Sequence, residues 1–210
     1  MKNDEIIDIT NFTCISQFQR NGCRSGGVAI YRNDNKDKYN IVTGNMSIYL
    51  SKLQLQNLSA DISKIGEVCS AEVIRSNGQH ILIISIYISP QNTTEKNKID
   101  SIIKFIHRSL LCFTRAGSIE LGENYHNMPI VLGGDFNCNF KHECSHVLQQ
   151  FLYDKFSLRM INDPNICTTR LGTTIDAVFA RYIDDITSII YVCYFSYHKP
   201  IISLIRFHYN

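Results

Sequence analysis

"VLGGDFNCNF", residues 131–140, is an apolar strand that runs into two glycines and then into Asp135, Phe136 and Asn137. A Gly-Gly pair at a strand end lets the chain turn sharply and lets another backbone or a ligand come close, and the side chains just beyond it project into the mouth of a fold. Asp135 and Asn137, two residues apart, can point the same way. A carboxylate that accepts a proton from water, beside an amide that donates to an oxygen, suits hydrolysis of a phosphate ester. Taken alone, the same residues also make an ordinary Asx turn.

The flanking sequence mixes strands with helices. "VCSAEVIRS" (68–76) and "HILIISIYIS" (80–89) flank Asn77-Gly78 and read as an antiparallel hairpin. From Lys98 to Phe113, the residues Ile99, Ile102, Ile103, Ile106, Leu110 and Phe113 recur at helical spacing, so one stripe packs on a sheet. Val147, Leu148, Phe151 and Leu152 mark a second amphipathic helix, and Pro164 sits in a loop. "FTCISQFQR" (12–20) and "GGVAIYRN" (26–33) are strands near the start; "TTIDAVFARY" (173–182) and "SIIYVCYFS" (188–196) are strands near the end. Pairings that look antiparallel, with few helices, predict two packed sheets covered by helices.

Composition narrows the class. With 210 residues, 44% of them hydrophobic, the chain can bury one core and reads as a single domain. A net charge of +2 supplies no broad basic face, so contact with nucleic acid would need a local cluster. Eight dispersed cysteines with no C-x-x-C pair, and no hydrophobic signal region behind Met1, point to reduced thiols and an intracellular protein. The apolar runs fall short of the roughly 18 residues of a membrane span.

Four stretches, "RSGGVAIYRN" (24–33), "LIISIYISP" (82–90), "VLGGDFN" and "TTIDAVFARY" followed by "YFSYHKP" (194–200), occur in the order and spacing of the endonuclease/exonuclease/phosphatase family. The chain resembles that family over most of its length, and within it the nuclease domains of mobile elements, non-LTR retrotransposons and Helitron-type helicases. The resemblance implies a four-layer α/β/β/α sandwich like that of DNase I. It also implies a Mg²⁺- or Mn²⁺-dependent DNA endonuclease that contacts the phosphate backbone, acts without a membrane, and works in the nucleus.

Residue by residue, Asp135 and Asn137 match the Gly-Asp-x-Asn motif that activates and positions the attacking water, and they are the implied metal ligands. His198 matches the histidine that contacts the scissile phosphate, Asp176 the carboxylate that orients it, and Tyr87 a tyrosine whose hydroxyl reaches the phosphate. Arg170 and Lys199 are the implied substrate-binding cations, with Arg181 and Arg206 close to the same motifs.

Departures from the family bear on activity. Tyr197 stands where many members carry an Asp. The family opens with an Asn-bearing strand and a Leu-x-Glu strand whose Glu binds metal, and nothing here matches either. "KNDEIIDITNF" (2–12) resembles the segment just after that Glu, which implies a domain, residues 1–210, incomplete at its N-terminus and impaired in metal binding. Glu5 lies in a polar, acidic start that reads as a solvated loop, and Glu72 is a further candidate ligand. The alternatives are an inactive remnant or binding module of the same fold, a secreted DNase-like enzyme with paired cysteines, and a zinc peptidase. The last rests on "HECSH", in which His142 and His146 one helical turn apart would bind zinc with Glu143 as base.

Overall fold

The computed structural model of the chain describes residues 7–19, 26–36, 40–44, 64–75, 77–91 and 94–206. Glu5 lies outside them. Strands β1 (Phe12–Phe18), β2 (Val28–Asn33), β3 (Asn40–Gly44), β4 (Gly66–Ile74) and β5 (His80–Ile88) come first. Helices α1 (Glu95–Ser109) and α2 (Arg115–Glu120) precede β6 (Ile130–Asp135), and α3 (His146–Phe156) follows it. The chain continues through β7 (Arg159–Met160), β8 (Asp176–Arg181), β9 (Ile186–Ile190) and β10 (Ile201–Ile205). This mixed arrangement is of the α/β class expected.

The central sheet has the order β3-β4-β5-β6-β8-β7. β4 and β5 form the expected hairpin, Gly66 opposite Ile88 and Ile74 opposite His80. The antiparallel pattern of the pairings does not extend to β5 and β6, which run parallel from Leu82 beside Ile130 to Tyr87 beside Asp135. The helical crossover through α1 and α2 permits this, because it returns the chain to the sheet end where it started. Two-residue periodicity gives each strand two faces. Leu82, Ile84, Ile86 and Ile88 face one way and join Ile130, Leu132, Ala177 and Phe179 in a single core cluster with Ile99, Ile102 and Ile106 of α1 and Leu148, Leu152 and Phe156 of α3. Each such Leu, Ile or Phe contributes about 1.5–3 kcal/mol by leaving water, so this layer anchors the fold.

Helix α1 starts earlier than its apolar stripe because Thr94 caps it, the Thr94 hydroxyl accepting from the Asn97 N–H at 3.4 Å. In α3, Val147 points to solvent rather than into the core. The other face of the central sheet carries two separate ribbons where a second continuous sheet is expected: β1–β2, which touches β4 and β5, and β9–β10, of which β10 touches β8. Among the described residues no helix covers their outer sides, so the helix, sheet and ribbon layers are present and the fourth is not among them. The stretch "SIIYVCYFS" is a strand only to Ile190; Tyr191–Tyr197 form an exposed loop, and β10 follows it. No helix among the described residues is long and apolar enough to cross a membrane.

Candidate active site

β6 ends on Gly134 and Asp135. Gly134 has φ +150°, and a Cβ there would sit 1.8 Å from the Ile86 carbonyl oxygen, so only glycine allows β5 and β6 to close this near the strand end. Phe136 then plunges into the core against Phe140 and Phe179, ring centroids 5.5 Å from each, while its N–H bonds to the Ile175 carbonyl at 2.9 Å. That anchor turns the chain and leaves Asp135 and Asn137 on the rim. The Asn137 N–H donates to Asp135 Oδ1 at 2.8 Å, and Asn137 Nδ2 donates to the Ile88 carbonyl at 2.7 Å and to Asp135 Oδ2 at 3.2 Å. Asn137 adopts φ +47°, a left-handed conformation that Asn tolerates better than most residues. With its amide nitrogen so engaged, Oδ1 is the end left for a ligand.

Asp176 is the register partner of Asp135 across β6–β8. Thr168 holds its backbone, the hydroxyl oxygen accepting from the N–H groups of Ile175 and Asp176 at 3.1 Å each. The same loop captures the C-terminal motif: Lys199 N–H donates to the Thr168 carbonyl at 2.7 Å, Arg170 N–H donates to that of Tyr197 at 3.1 Å, and Thr169 bridges His198. His198 is thereby delivered to Asp176, with Nδ1 3.0 Å and 3.1 Å from the two carboxylate oxygens. Its Nε2 faces Asp135, 4.0 Å from Oδ2. A carboxylate on Nδ1 fixes the tautomer and aims Nε2 at whatever sits between His198 and Asp135.

Burial pushes Asp135 up to about 6, with the Asp176 charge adding to the rise; the Asn137 N–H, His198 and Lys98 pull the other way. Asp135, Asp176 and His198 offer ligand atoms all within 4.8 Å of one another. A desolvated carboxylate beside a second one is a donor set that a hard dication relieves, so these residues fit a divalent metal, with Asp135, whose oxygens accept only from Asn137, and the Asn137 amide oxygen as the candidate ligands.

Tyr87 stands beside Asp135 in register and Glu67 beside Tyr87, so Glu67, Tyr87, Asp135 and Asp176 form one row across four strands, on the face away from the helices. Glu67 is fully buried and accepts from the Gly27 N–H. None of the sequence motifs singles it out. Its signal is an acidic residue in an apolar strand, with the parity that puts it on the face of Tyr87. Glu72 has the opposite parity, lies toward the far end of β4, and pairs with His80 at 3.4 Å. Lys98, on α1, was also missed as a cation within electrostatic reach of Asp135.

Of the implied cations, Lys199 lines a cleft of about 730 Å³ that also contains Asp176, His198, Gly133, Gly134 and Ser85, and Arg170 braces the adjoining loop. Arg181 does not reach the site. It lies on the helix face at the other end of β8, buried, where it donates to the carbonyls of Phe113, Tyr125, Met128 and Phe156. Arg206 pairs with Asp185 at 3.5 Å at the far end of the β9–β10 ribbon. The zinc-peptidase geometry is absent: His142 is extended (φ −85°, ψ 140°), a 3-10 turn spans Glu143–Ser145, and His146 begins α3, so the two histidines do not share one α-helical turn. Cys14, Cys69, Cys112, Cys138, Cys144, Cys167 and Cys193 are all free, so the described residues hold none of the disulfides that a secreted scaffold needs.

No protein-family model and no curated protein matches this sequence. Solved structures do. The mannosyl-6-phosphatase of Bacteroides thetaiotaomicron is 16% identical over 95% of this chain and 78% of its own, with a TM-score of 0.49. An endonuclease/exonuclease/phosphatase from Bacteroides vulgatus is 12% identical over 93% and 77%, also at 0.49. The beta toxin of Staphylococcus aureus is 10% identical over 67% and 57%, at 0.44. The chain spans 43%, 57% and 61% of the length of three of the matched structures.

Proposed function

We propose that this chain hydrolyses phosphodiesters with a divalent metal, and that its substrate is DNA, as for a mobile-element endonuclease. The observation that carries the reading is the convergence of Asp135, Asn137, Asp176 and His198, drawn from three separated stretches, on one end of β6 and β8 with His198 aimed by Asp176. Asp135, raised to about 6, is poised to take a proton from water near neutral pH. Asn137 orients that water, and His198, when doubly protonated so that its Nδ1–H stays on Asp176, donates from Nε2 to a phosphoryl oxygen as charge develops there. Tyr87, next to Asp135 in the row, supplies a hydroxyl toward the same phosphate, and Lys199 and Arg170 neutralise neighbouring phosphates. Asp135 and Asn137 would hold a divalent ion, Mg²⁺ or Mn²⁺, which would supply Lewis-acid stabilisation of the transition-state charge.

Plasmid nicking in Mg²⁺ and in Mn²⁺ tests this. The wild-type chain nicks slowly, and His198→Ala and Asp135→Asn each lower the rate by about 10²–10⁴-fold. No nicking in either metal, or nicking indifferent to both substitutions, overturns the proposal. A second reading, a binding module without turnover, is favoured by one observation: among the described residues two carboxylates join the metal-capable group, and Asp176 is already committed to His198.

A further inference from the structure

The loop Tyr191–Tyr197, between β9 and β10, leaves Phe195 97% and Tyr194 87% exposed beside the cleft that holds Asp176 and His198. Burying a phenyl ring removes roughly 150–250 Å² of surface from water, so two aromatics left outside on a loop with an anchored frame call for an occupant. The frame is anchored at several points. The Arg170 guanidinium donates to the carbonyls of Cys193 and Tyr194, Arg170 N–H donates to that of Tyr197 at 3.1 Å, and Tyr191 N–H donates to that of Pro200 at 3.0 Å. Cys193, Phe195 and Ser196 line the cleft itself. Tyr197 stands edge-on to His198, centroids 5.1 Å apart, so the aromatic strip begins next to the imidazole.

The charge along this rim is positive. Arg170 and Lys199 flank the loop, and Lys141 reaches Cys167 at 3.0 Å, one residue from Thr168, whose carbonyl holds Lys199. The acidic groups in the cleft, Asp176 and its neighbour Asp135, face His198. Aromatic faces interleaved with cations along a phosphate site are what unpaired nucleobases and their backbone require. A base in a duplex hides both faces in the stack, so only a base freed from it can lie on Phe195 or Tyr194.

We propose that the Tyr191–Tyr197 loop is a stacking platform for unpaired DNA bases next to the scissile phosphate, so that the substrate is single-stranded or locally opened DNA. This rests on the phosphodiesterase reading for its phosphate and adds to it the strand state of the substrate.

Fluorescence anisotropy in EDTA, which needs no turnover, tests the platform. The probes are a labelled twelve-residue dT strand, the same strand with abasic sugars throughout, and a duplex of equal length. The dT strand binds at least tenfold more tightly than the duplex or the abasic strand, and Tyr194→Ser with Phe195→Ser removes that advantage without altering the circular dichroism spectrum. Equal binding of all three probes, unchanged in the double variant, overturns the inference while leaving wild-type nicking to decide the hydrolase reading. Conversely, no nicking with the dT preference intact sinks the hydrolase reading and leaves the platform standing. Two other outcomes overturn the platform: loss of self-association in the double variant with unchanged dT binding, which marks an interface between copies, and loss of sedimentation with anionic phosphatidylserine vesicles instead of loss of dT binding, which marks a membrane surface.

Discussion

Strand β8 carries a charge at each end, and the two ends serve opposite purposes. At one, Arg181 is 4% exposed, faces the helices and donates to four main-chain carbonyls contributed by the segments around α2 and β6 and by the end of α3. At the other, Asp176 is half-buried, faces the ribbons and bonds a single imidazole. Burial lowers Arg181 to about 10, which still leaves it charged at neutral pH, and main-chain carbonyls take up four of its five N–H donors. The Asp176 end is left partly unmet: Asp135 is raised to about 6, and His198 Nε2 has a carboxylate only at 4.0 Å. A charge whose partners are all internal holds a fold together, whereas one with an open valence is available for chemistry.

The largest effect expected from breaking this contrast is at the closed end. Arg181→Met strips donors from four carbonyls, two of them bonded through buried contacts, and costs about 3–5 kcal/mol. For a chain of this size that is a drop of roughly 10 °C in thermal midpoint. A midpoint within 2 °C of wild type would show that the carbonyls find water instead, and the two ends would no longer differ in kind.

A middle-sized effect sharpens the open end, with sign as well as magnitude. Because the folded Asp135 sits at about 6, above its usual 3.8, its contribution to stability is full below the unfolded value and is lost as pH rises through the folded one. Above about pH 6 the ionised carboxylate therefore works against folding. Asp135→Asn, which keeps an acceptor for the Asn137 N–H, stabilises the protein at pH 7.5 on the order of 1–3 kcal/mol. That gain disappears by about pH 4, and at every pH it comes with the loss of nicking. Equal midpoints for variant and wild type at both pH values would remove the strain assigned to the site.

The smallest effect serves as a reference. Arg206 is largely solvated in its pair with Asp185, so Arg206→Ala changes stability by under about 0.5 kcal/mol and leaves nicking within twofold. A larger loss of nicking would return Arg206 to the phosphate path.

Much of this was readable along the chain because it depends on neighbours a few residues apart. Asn77-Gly78 between alternating runs makes a hairpin wherever the rest of the chain goes, and the isoleucine stripe from Ile99 makes one face of a helix. The glycines before Asp135 and the ordered motifs around Tyr87, Asp176 and His198 likewise announced the residues that do meet. Other features depend on which surfaces come together. Nothing near Arg181 says that four carbonyls from distant segments await it, and its nearness to Asp176 in sequence pointed to the wrong end of the strand. Val147 fits a helical stripe yet lies exposed, and "YVCYFS" has a strand's composition yet forms an exposed loop. Glu67 acquires its place beside Tyr87 and Asp135 only through the register of β4, β5 and β6. The sequence by itself determined the local elements and singled out Asp135, Asn137, Asp176 and His198, since propensity, turn chemistry and motif are short-range. Only the tertiary structure decided which charges would be satisfied and which left open, because burial and hydrogen-bond partners are supplied by residues far away in the chain.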